Sequence, residues 1–331
     1  MSEAVALAHP NFALSKYWGK RAGSGNFPAV PSLSLTLAGF ATRTRVRFDE
    51  SYSDDRVVLD GEEVAGRPHE RVVDLLDRAR RAAGDDRRAW VDSTNDFPAA
   101  SGLASSASGF AALAVAAVRA AGLDWDAARV SDLARRSSAS AARSVFGGFV
   151  ELEAGPPEGA EGVLLAARPV VQGEHLPITV LVAIASEGAK SVGSTEGMRR
   201  TMDRSPFAHA WLEEAPKLHA RLRDALLARD FIRVGELSEA SALAMHASAM
   251  AAGVIYWNGA TLAAIDAVRA LREGGLAAYM TIDAGPHVKV LVRPDDADHA
   301  ESTLRAAPGV LRVVRGHAGE GARIVPQEGA L

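Results

Sequence analysis

The stretch FPAASGLASSASGFAAL, residues 97–113, constrains the fold most: four serines and two glycines fill nine positions, 101–109, at the head of an alanine-rich apolar run. Such a run reads as a buried helix that packs closely through small side chains. One N-cap needs one hydroxyl, so Ser101, Ser105, Ser106 and Ser108 leave a surplus. Two readings of the turn stay open. It is either the capped start of an Ala/Ser helix, or an anion site in which free N–H groups and the positive end of the helix dipole face a phosphate. In the second reading Gly102 lets backbone approach the phosphate, and Ser105, Ser106 and Ser108 add hydroxyl donors or a magnesium ligand. The loop is not a Walker A sequence, because no Gly-Lys-Ser/Thr closes it.

A phosphate site needs positive charge, and the chain as a whole has none to spare. Its formal charge is −4, so any anionic ligand must be met by a local basic cluster, and nucleic acid and acidic membrane surfaces are not expected partners. Arginine outnumbers lysine 32 to 5, yet two of the five lysines fall within KYWGK, residues 16–20. The chain has no cysteine, which removes disulfides, thiolate metal sites and cysteine nucleophiles and fits a cytoplasmic location. No signal peptide or membrane span is read, since apolar runs such as ITVLVAIA are far too short to cross a bilayer. The histidines show no zinc-binding spacing.

The 331 residues favour two domains. The first half is strand-rich. SLSLTLA, TRTRVRF and RVVLDGEEV read as strands, the last with an Asp60-Gly61 hairpin turn. A helix over about 68–83, a strand RAWVDST, a helix ending near Ala121, another over 126–137 and a strand GGFVELEAG follow. EAGPPEGAEG is a surface loop by composition. After the strand PITVLVAIAS the chain is mainly helical over about 195–273 and closes with strands AAYMTID and HVKVLVRP around the turn AGP. The boundary is placed at 174/175. Arg135 and Arg136, at the end of a helix, read as surface residues or dipole partners.

Pro98-Ala99-Ala100-Ser101-Gly102-Leu103-Ala104-Ser105-Ser106 has the Pro-x-x-x-Gly-Leu-x-Ser-Ser form of the GHMP small-molecule kinases, which it resembles. KYWGKR (16–21), NDFPAASGLASSASGFAAL (95–113), SASAARSVFGGFV (138–150), GSTEGM (193–198) and DAGPHV (283–288) together resemble the mevalonate diphosphate decarboxylases, in that family's order. Several ordered motifs are far more specific than one.

The resemblance implies an α+β, two-domain GHMP kinase fold: a ribosomal protein S5 domain 2-like N-terminal domain over 1–174, a GHMP C-terminal domain over 175–331, and the site in the cleft between them. It implies ATP- and Mg2+-dependent decarboxylation of mevalonate 5-diphosphate by a cytoplasmic homodimer. Lys16, Arg143, Ser194 and Asp283 would carry the reaction. Tyr17, Lys20, Ser138, Ser140, Arg143 and Met198 would hold the substrate, while Gly102, Leu103, Ser105, Ser106 and Ser108 would hold ATP, with Ser106 a magnesium ligand.

The residue types suit these roles. Phosphoryl transfer depends on positioning and electrostatic stabilisation, which KYWGK supplies locally once the segment folds as an irregular loop rather than a strand. Arg143 offers a planar fork for carboxylate or phosphate. Asp283 would orient the substrate hydroxyl or take its proton, and a neighbouring Lys16 ammonium would keep it ionised. Ser194 reads also as a helix N-cap. Ala29-Val30-Pro31, where many relatives are polar, leaves the finer substrate preference open, and His287 receives no role. A decarboxylase of mevalonate 5-phosphate or of a bisphosphorylated mevalonate, a mevalonate 3-kinase, and a silent ATP and metabolite sensor are the competing readings.

Overall fold

The computed structural model describes residues 2–23, 25–96, 105–156, 162–188 and 191–326. Two sheets organise them. The first comprises β1 (Glu3–Ala8), β4 (Thr42–Asp49), β5 (Arg56–Leu59), β6 (Glu62–Glu63), β7 (Arg88–Asn95) and β14 (Arg323–Val325), in the order β14-β1-β4-β7-β5-β6. β5 and β6 meet at the expected turn, where Asp60 and Gly61 both take positive φ, 51° and 85°. Helices α1 (Arg67–Ala83), α2 (Ser105–Ala120) and α3 (Ala127–Ser137) accompany this sheet. α2 buries a row of alanines, which lets it lie close on β1 and β4 and completes a core with Val46, Phe48, Leu75 and Leu76.

The second sheet draws on the whole chain. It comprises β3 (Ser32–Ala38), β8 (Phe149–Leu152), β9 (Arg168–Val171), β10 (Thr179–Ile184), β11 (Tyr279–Ile282), β12 (Val288–Val292) and β13 (Arg312–Ala318), in the order β11-β12-β10-β13-β3-β8-β9, with β2 (Asn11–Ser15) paired to β3. Helices α6 (Ala208–Leu227) and α7 (Phe231–Ala251) contribute to the core on one side of this sheet. Helices α8 (Gly259–Glu273) and α9 (Ala297–Ala306) contribute to another around β10, β11 and β12. The short helix α4 (Ala141–Ser144) packs against α2 and α3, and α5 (Ser194–Arg204) packs against α6 and α7. The boundary expected from sequence, 174/175, falls in a 3-10 turn, Gly173–His175, and strands from both sides of it share the second sheet.

Two sequence expectations need correction. Arg135 is not a surface residue but fully buried: it pairs with Asp132 at 2.6 Å, donates to the carbonyls of Leu165 and Gly25, and stacks 4.1 Å over the Phe27 ring. Asp132 three residues earlier on α3 supplies the counter-charge that makes this burial tolerable. Ser194 is not the N-cap of α5; Gly193 is, and Ser194 is the first helical residue. Of the expected loop at 153–162, residues 157–161 lie outside the described residues.

Candidate active site

Lys16 follows β2 directly, and β2 is bulged between Ala13 and Ser15 against β3. A bulge re-aims the residue that follows it. The Lys16 backbone N–H donates to Ser241 Oγ of α7, and its ammonium, 2% exposed, donates to the Ala13 carbonyl at 2.7 Å and to Asp283 Oδ1 at 2.7 Å. Asp283 stands at the end of β11, where its other oxygen lies 3.0 Å from the Lys289 ammonium of β12. The two ammoniums hold the carboxyl well below the usual carboxylate range although burial opposes them. Burial lowers Lys16 to about 8, with Lys289 and Arg143 adding to the effect and Asp283 opposing it.

Arg143 comes from α4. Its Nε donates to Ser34 Oγ at 2.9 Å and its Nη1 to Ser32 Oγ at 2.7 Å, while Asn11 ties the same helix down through the Ser140 carbonyl and Ser144 Oγ. These partners are neutral, so they orient the guanidinium without cancelling its charge. Burial lowers it to about 10. The turn after α4 relies on glycine: a Cβ on Gly147 would lie 2.7 Å from the Gly321 nitrogen, because the connection from β13 to β14 runs against this turn, where the Gly148 N–H donates to the Gly319 carbonyl at 2.9 Å.

KYWGK folds as the irregular loop expected. Trp18 anchors it, donating from Nε1 to Thr201 Oγ1 on α5 at 3.1 Å and accepting at its carbonyl from Trp211 Nε1 at 2.7 Å. α5 comes this close because residue 197 is glycine; a Cβ there would meet the Tyr256 hydroxyl at 2.4 Å and the Trp18 ring at 3.0 Å. Met198 is buried beside them. The Tyr17 ring bridges this cluster and the one formed by Ala139 and Ala142. Its hydroxyl is buried with no hydrogen-bond partner among the described residues, and burial pushes it up.

Lys20, half-buried, donates to Asn26 Oδ1 at 2.7 Å and to Thr195 Oγ1 at 3.1 Å. Burial lowers its ammonium to about 8, and Arg71 and Arg67 at the start of α1 act in the same direction. Asn26 holds a left-handed φ of 54° and donates to the Arg136 carbonyl. Ser194 is next to Thr195 on α5, and Ser138 and Ser140 face each other across 3.2 Å before α4.

Gly102 and Leu103 lie outside the described residues. Ser105 and Ser106 line a cavity of about 200 Å3 together with Thr44, Asn95, Phe110 and Arg71, whose guanidinium sits 4.5 Å over the Phe110 ring. Ser108 is fully buried and bonded to Thr42 Oγ1 at 2.6 Å, so its hydroxyl ties α2 to β4. Among the described residues no group of three or more His, Asp or Glu is placed to hold a metal ion, and no helix is long and apolar enough to cross a membrane.

Sequence reasoning missed Lys289, Asn26, Thr195, Arg71 and Asn11. For Lys289 a signal existed: one of only five lysines interrupts the apolar strand VKVLV. The others carried none, because their value lies in what folding brings beside them.

The two sheets with their helices have the two-domain α+β fold of the GHMP class of small-molecule kinases, and an aspartate clamped by two lysines stands at the end of β11. Residues 8–162 match the diphosphomevalonate decarboxylase-like N-terminal domain, and residues 180–312 match the mevalonate 5-diphosphate decarboxylase C-terminal domain. The chain is 34% identical over 305 residues to the phosphomevalonate decarboxylase of Haloferax volcanii, covering 91% of this chain and 92% of that one. It is 32% identical to the diphosphomevalonate decarboxylase of Candida albicans, over 92% of this chain and 88% of that one. Among solved structures, MDDEF in complex with MVAPP, AMPPCP and magnesium superimposes with a TM-score of 0.89 at 37% identity, over 98% of both chains. The chain belongs to the diphosphomevalonate decarboxylase family.

Proposed function

We propose that the chain catalyses ATP-dependent decarboxylation of mevalonate 5-diphosphate to isopentenyl diphosphate, ADP, phosphate and carbon dioxide. One observation carries the reading: a carboxylate, Asp283, is kept ionised between two lysine ammoniums in a cleft that also holds a buried Arg143 with only neutral partners. Asp283 accepts the hydrogen of the substrate's 3-hydroxyl as that oxygen bonds the γ-phosphorus of ATP and ADP leaves. Lys16 stabilises the negative charge that builds on the transferred group. The C3–O bond then breaks with phosphate leaving, the C1–C2 bond gives up carbon dioxide, and its electron pair becomes the new double bond. Arg143 and Ser194 hold the phosphoryl and carboxylate groups during these steps.

At the other end of the substrate, Lys20, Tyr17, Ser138 and Ser140 take the diphosphate, with Met198 on the wall. Ser105 and Ser106, with Gly102 and Leu103, take the ATP phosphates, and the cavity under Arg71 and Phe110 is the right size and polarity for the base. Ser108 acts by fixing that helix to the sheet. Magnesium fits this donor set: the ion prefers phosphate oxygens and water to an all-protein cage, and Ser106 offers an exposed hydroxyl at the cavity. Bound there with ATP, it would neutralise charge on the phosphates. We also propose, from family membership, a cytoplasmic homodimer, which sedimentation velocity tests.

A second reading, a decarboxylase of the 5-monophosphate, is favoured by the Haloferax volcanii relative and by a tail end with one directly placed lysine, Lys20, bonded to neutral Asn26 and Thr195. A product assay with ATP, magnesium and each of mevalonate, its 5-phosphate and its 5-diphosphate tests both. Equal release of carbon dioxide, phosphate and ADP, fastest with the diphosphate, is the expected result. Preference for the monophosphate selects the second reading; ADP without carbon dioxide makes the protein a kinase; binding without turnover makes it a sensor.

A further inference from the structure

Lys289 enters the site from an unusual position. It is the second residue of β12, between Val288 and Val290, opposite Thr281 of β11 and Val182 of β10, with 4% of its surface exposed. A lysine in the interior of a central strand is costly to desolvate unless its ammonium is held. Here the holder is Asp283 Oδ2 at 3.0 Å, while Lys16 occupies Oδ1 at 2.7 Å from a different part of the chain. A carboxylate gripped on both oxygens by separate elements cannot turn about its Cβ–Cγ bond. One lysine would have left that rotation free.

We propose that Lys289 is a positioning residue for the reaction: it locks the orientation of Asp283 so that the carboxylate meets the substrate hydroxyl in one geometry, and its charge tunes the Lys16 ammonium across the same carboxylate. The kinetic part rests on the decarboxylase reading above. The groups that face this pair are Lys16 from the loop after β2, Arg143 from α4, His246 from α7, whose Nε2 lies 3.2 Å from the Ile282 carbonyl, and Lys289 itself. His287, in the turn between Asp283 and β12, is directed elsewhere and accepts from the Ala185 N–H through Nδ1. Together Lys16, Lys289 and Arg143 outnumber the single carboxylate, which suits a site that closes on a polyanion.

Because the chain has only five lysines, enrichment of the lysine side chains in 13C gives a titration in which Lys16 can be followed individually. The comparison is wild type against Lys289→Met, which keeps length without charge, and Lys289→Gln, which keeps a donor to Oδ2 without charge. Loss of the neighbouring cation should move the Lys16 midpoint upward from about 8 in both variants. In Lys289→Met, kcat should fall roughly 10- to 100-fold, the range expected for one charged hydrogen bond, with KM for ATP little changed. Lys289→Gln should recover part of kcat but not the midpoint. If Lys289→Met does not fold, Lys289→Gln carries both readouts alone. An unmoved Lys16 midpoint, or kcat within about 2-fold of wild type, overturns the proposal. Absence of wild-type turnover with every mevalonate substrate would instead sink the decarboxylase reading, and the titration would still decide the role of Lys289.

Discussion

The two ends of the proposed site are built to different standards. At the reacting end, Lys16, Arg143 and Lys289 are each at most 4% exposed, and strands, a bulge and the core-facing hydroxyls of Ser32, Ser34 and Ser241 fix them. At the tail end, Lys20, Ser138 and Ser140 are half-buried, Thr195 is exposed, and loop residues such as Asn26 do the holding. Groups locked by packing keep their geometry through a reaction cycle, whereas groups on loops adapt to what arrives. The reacting end should therefore respond to change by losing turnover outright. The tail end should respond by grading preference between substrates.

The sharpest way to break that contrast is Asp283→Asn, which keeps shape and removes charge. Turnover should fall roughly 100-fold or more, as for loss of a general base, while ATP affinity measured by calorimetry stays near wild type. Near-normal turnover would reduce Asp283 to a turn residue and erase the difference between the two ends. Lys20→Ala should act differently. A charge-assisted contact contributes about 1.5–3 kcal/mol, so preference for the diphosphate over the monophosphate should drop roughly 10- to 150-fold in kcat/KM. An unchanged ratio would mean that Lys20 is only a loop lysine bonded to Asn26 and Thr195.

Gly197→Ala probes the seam between the ends, since the added methyl would press on the Tyr256 hydroxyl and the Trp18 ring. Overpacking of this kind costs about 1–3 kcal/mol, visible as a lower midpoint in urea, and it should disturb both ends together because Trp18 lies between Lys16 and Lys20. The smallest expected effect sharpens the comparison from outside. Arg67 is exposed yet helps to lower Lys20, so Arg67→Ala should raise the Lys20 titration midpoint from about 8 and leave that of Lys16 unmoved. A parallel shift of both would show that the two ends share one electrostatic environment.

Much of the fold was legible in the chain. The alternation in SLSLTLA and TRTRVRF matches β3 and β4, and the Asp60-Gly61 turn joins β5 and β6 as its chemistry requires. β1, β2, β9, β13 and β14 were not read. EAVALA is alanine-rich and lacks alternation, RVVRGHA carries a glycine and two arginines, and RIV is too short to register, so these three are strands only because a neighbour pairs with them. In the site, Lys16, Arg143 and Asp283 could be named from their motifs, and Asp283 lies against Lys16. Arg135 was misjudged because the pair Arg135-Arg136 resembles an ordinary helix terminus. Its partners Gly25 and Leu165 are distant in sequence, and only folding supplies them. Lys289 shows the same limit.

Both sheets are closed by late-made chain. β13 lies between β10 and β3, pairing His317 with Ala38, and β14 pairs with β1, setting Val325 opposite Val5. On the ribosome, then, the first sheet emerges with β1 lacking its outer neighbour, and β3 lacks β13 until most of the protein has been synthesised. Contacts of such long range slow folding and leave strand edges open to the wrong partner while they wait. The nascent chain should depend on chaperones that shield those edges. Expressing either half alone should yield aggregates rather than a folded lobe.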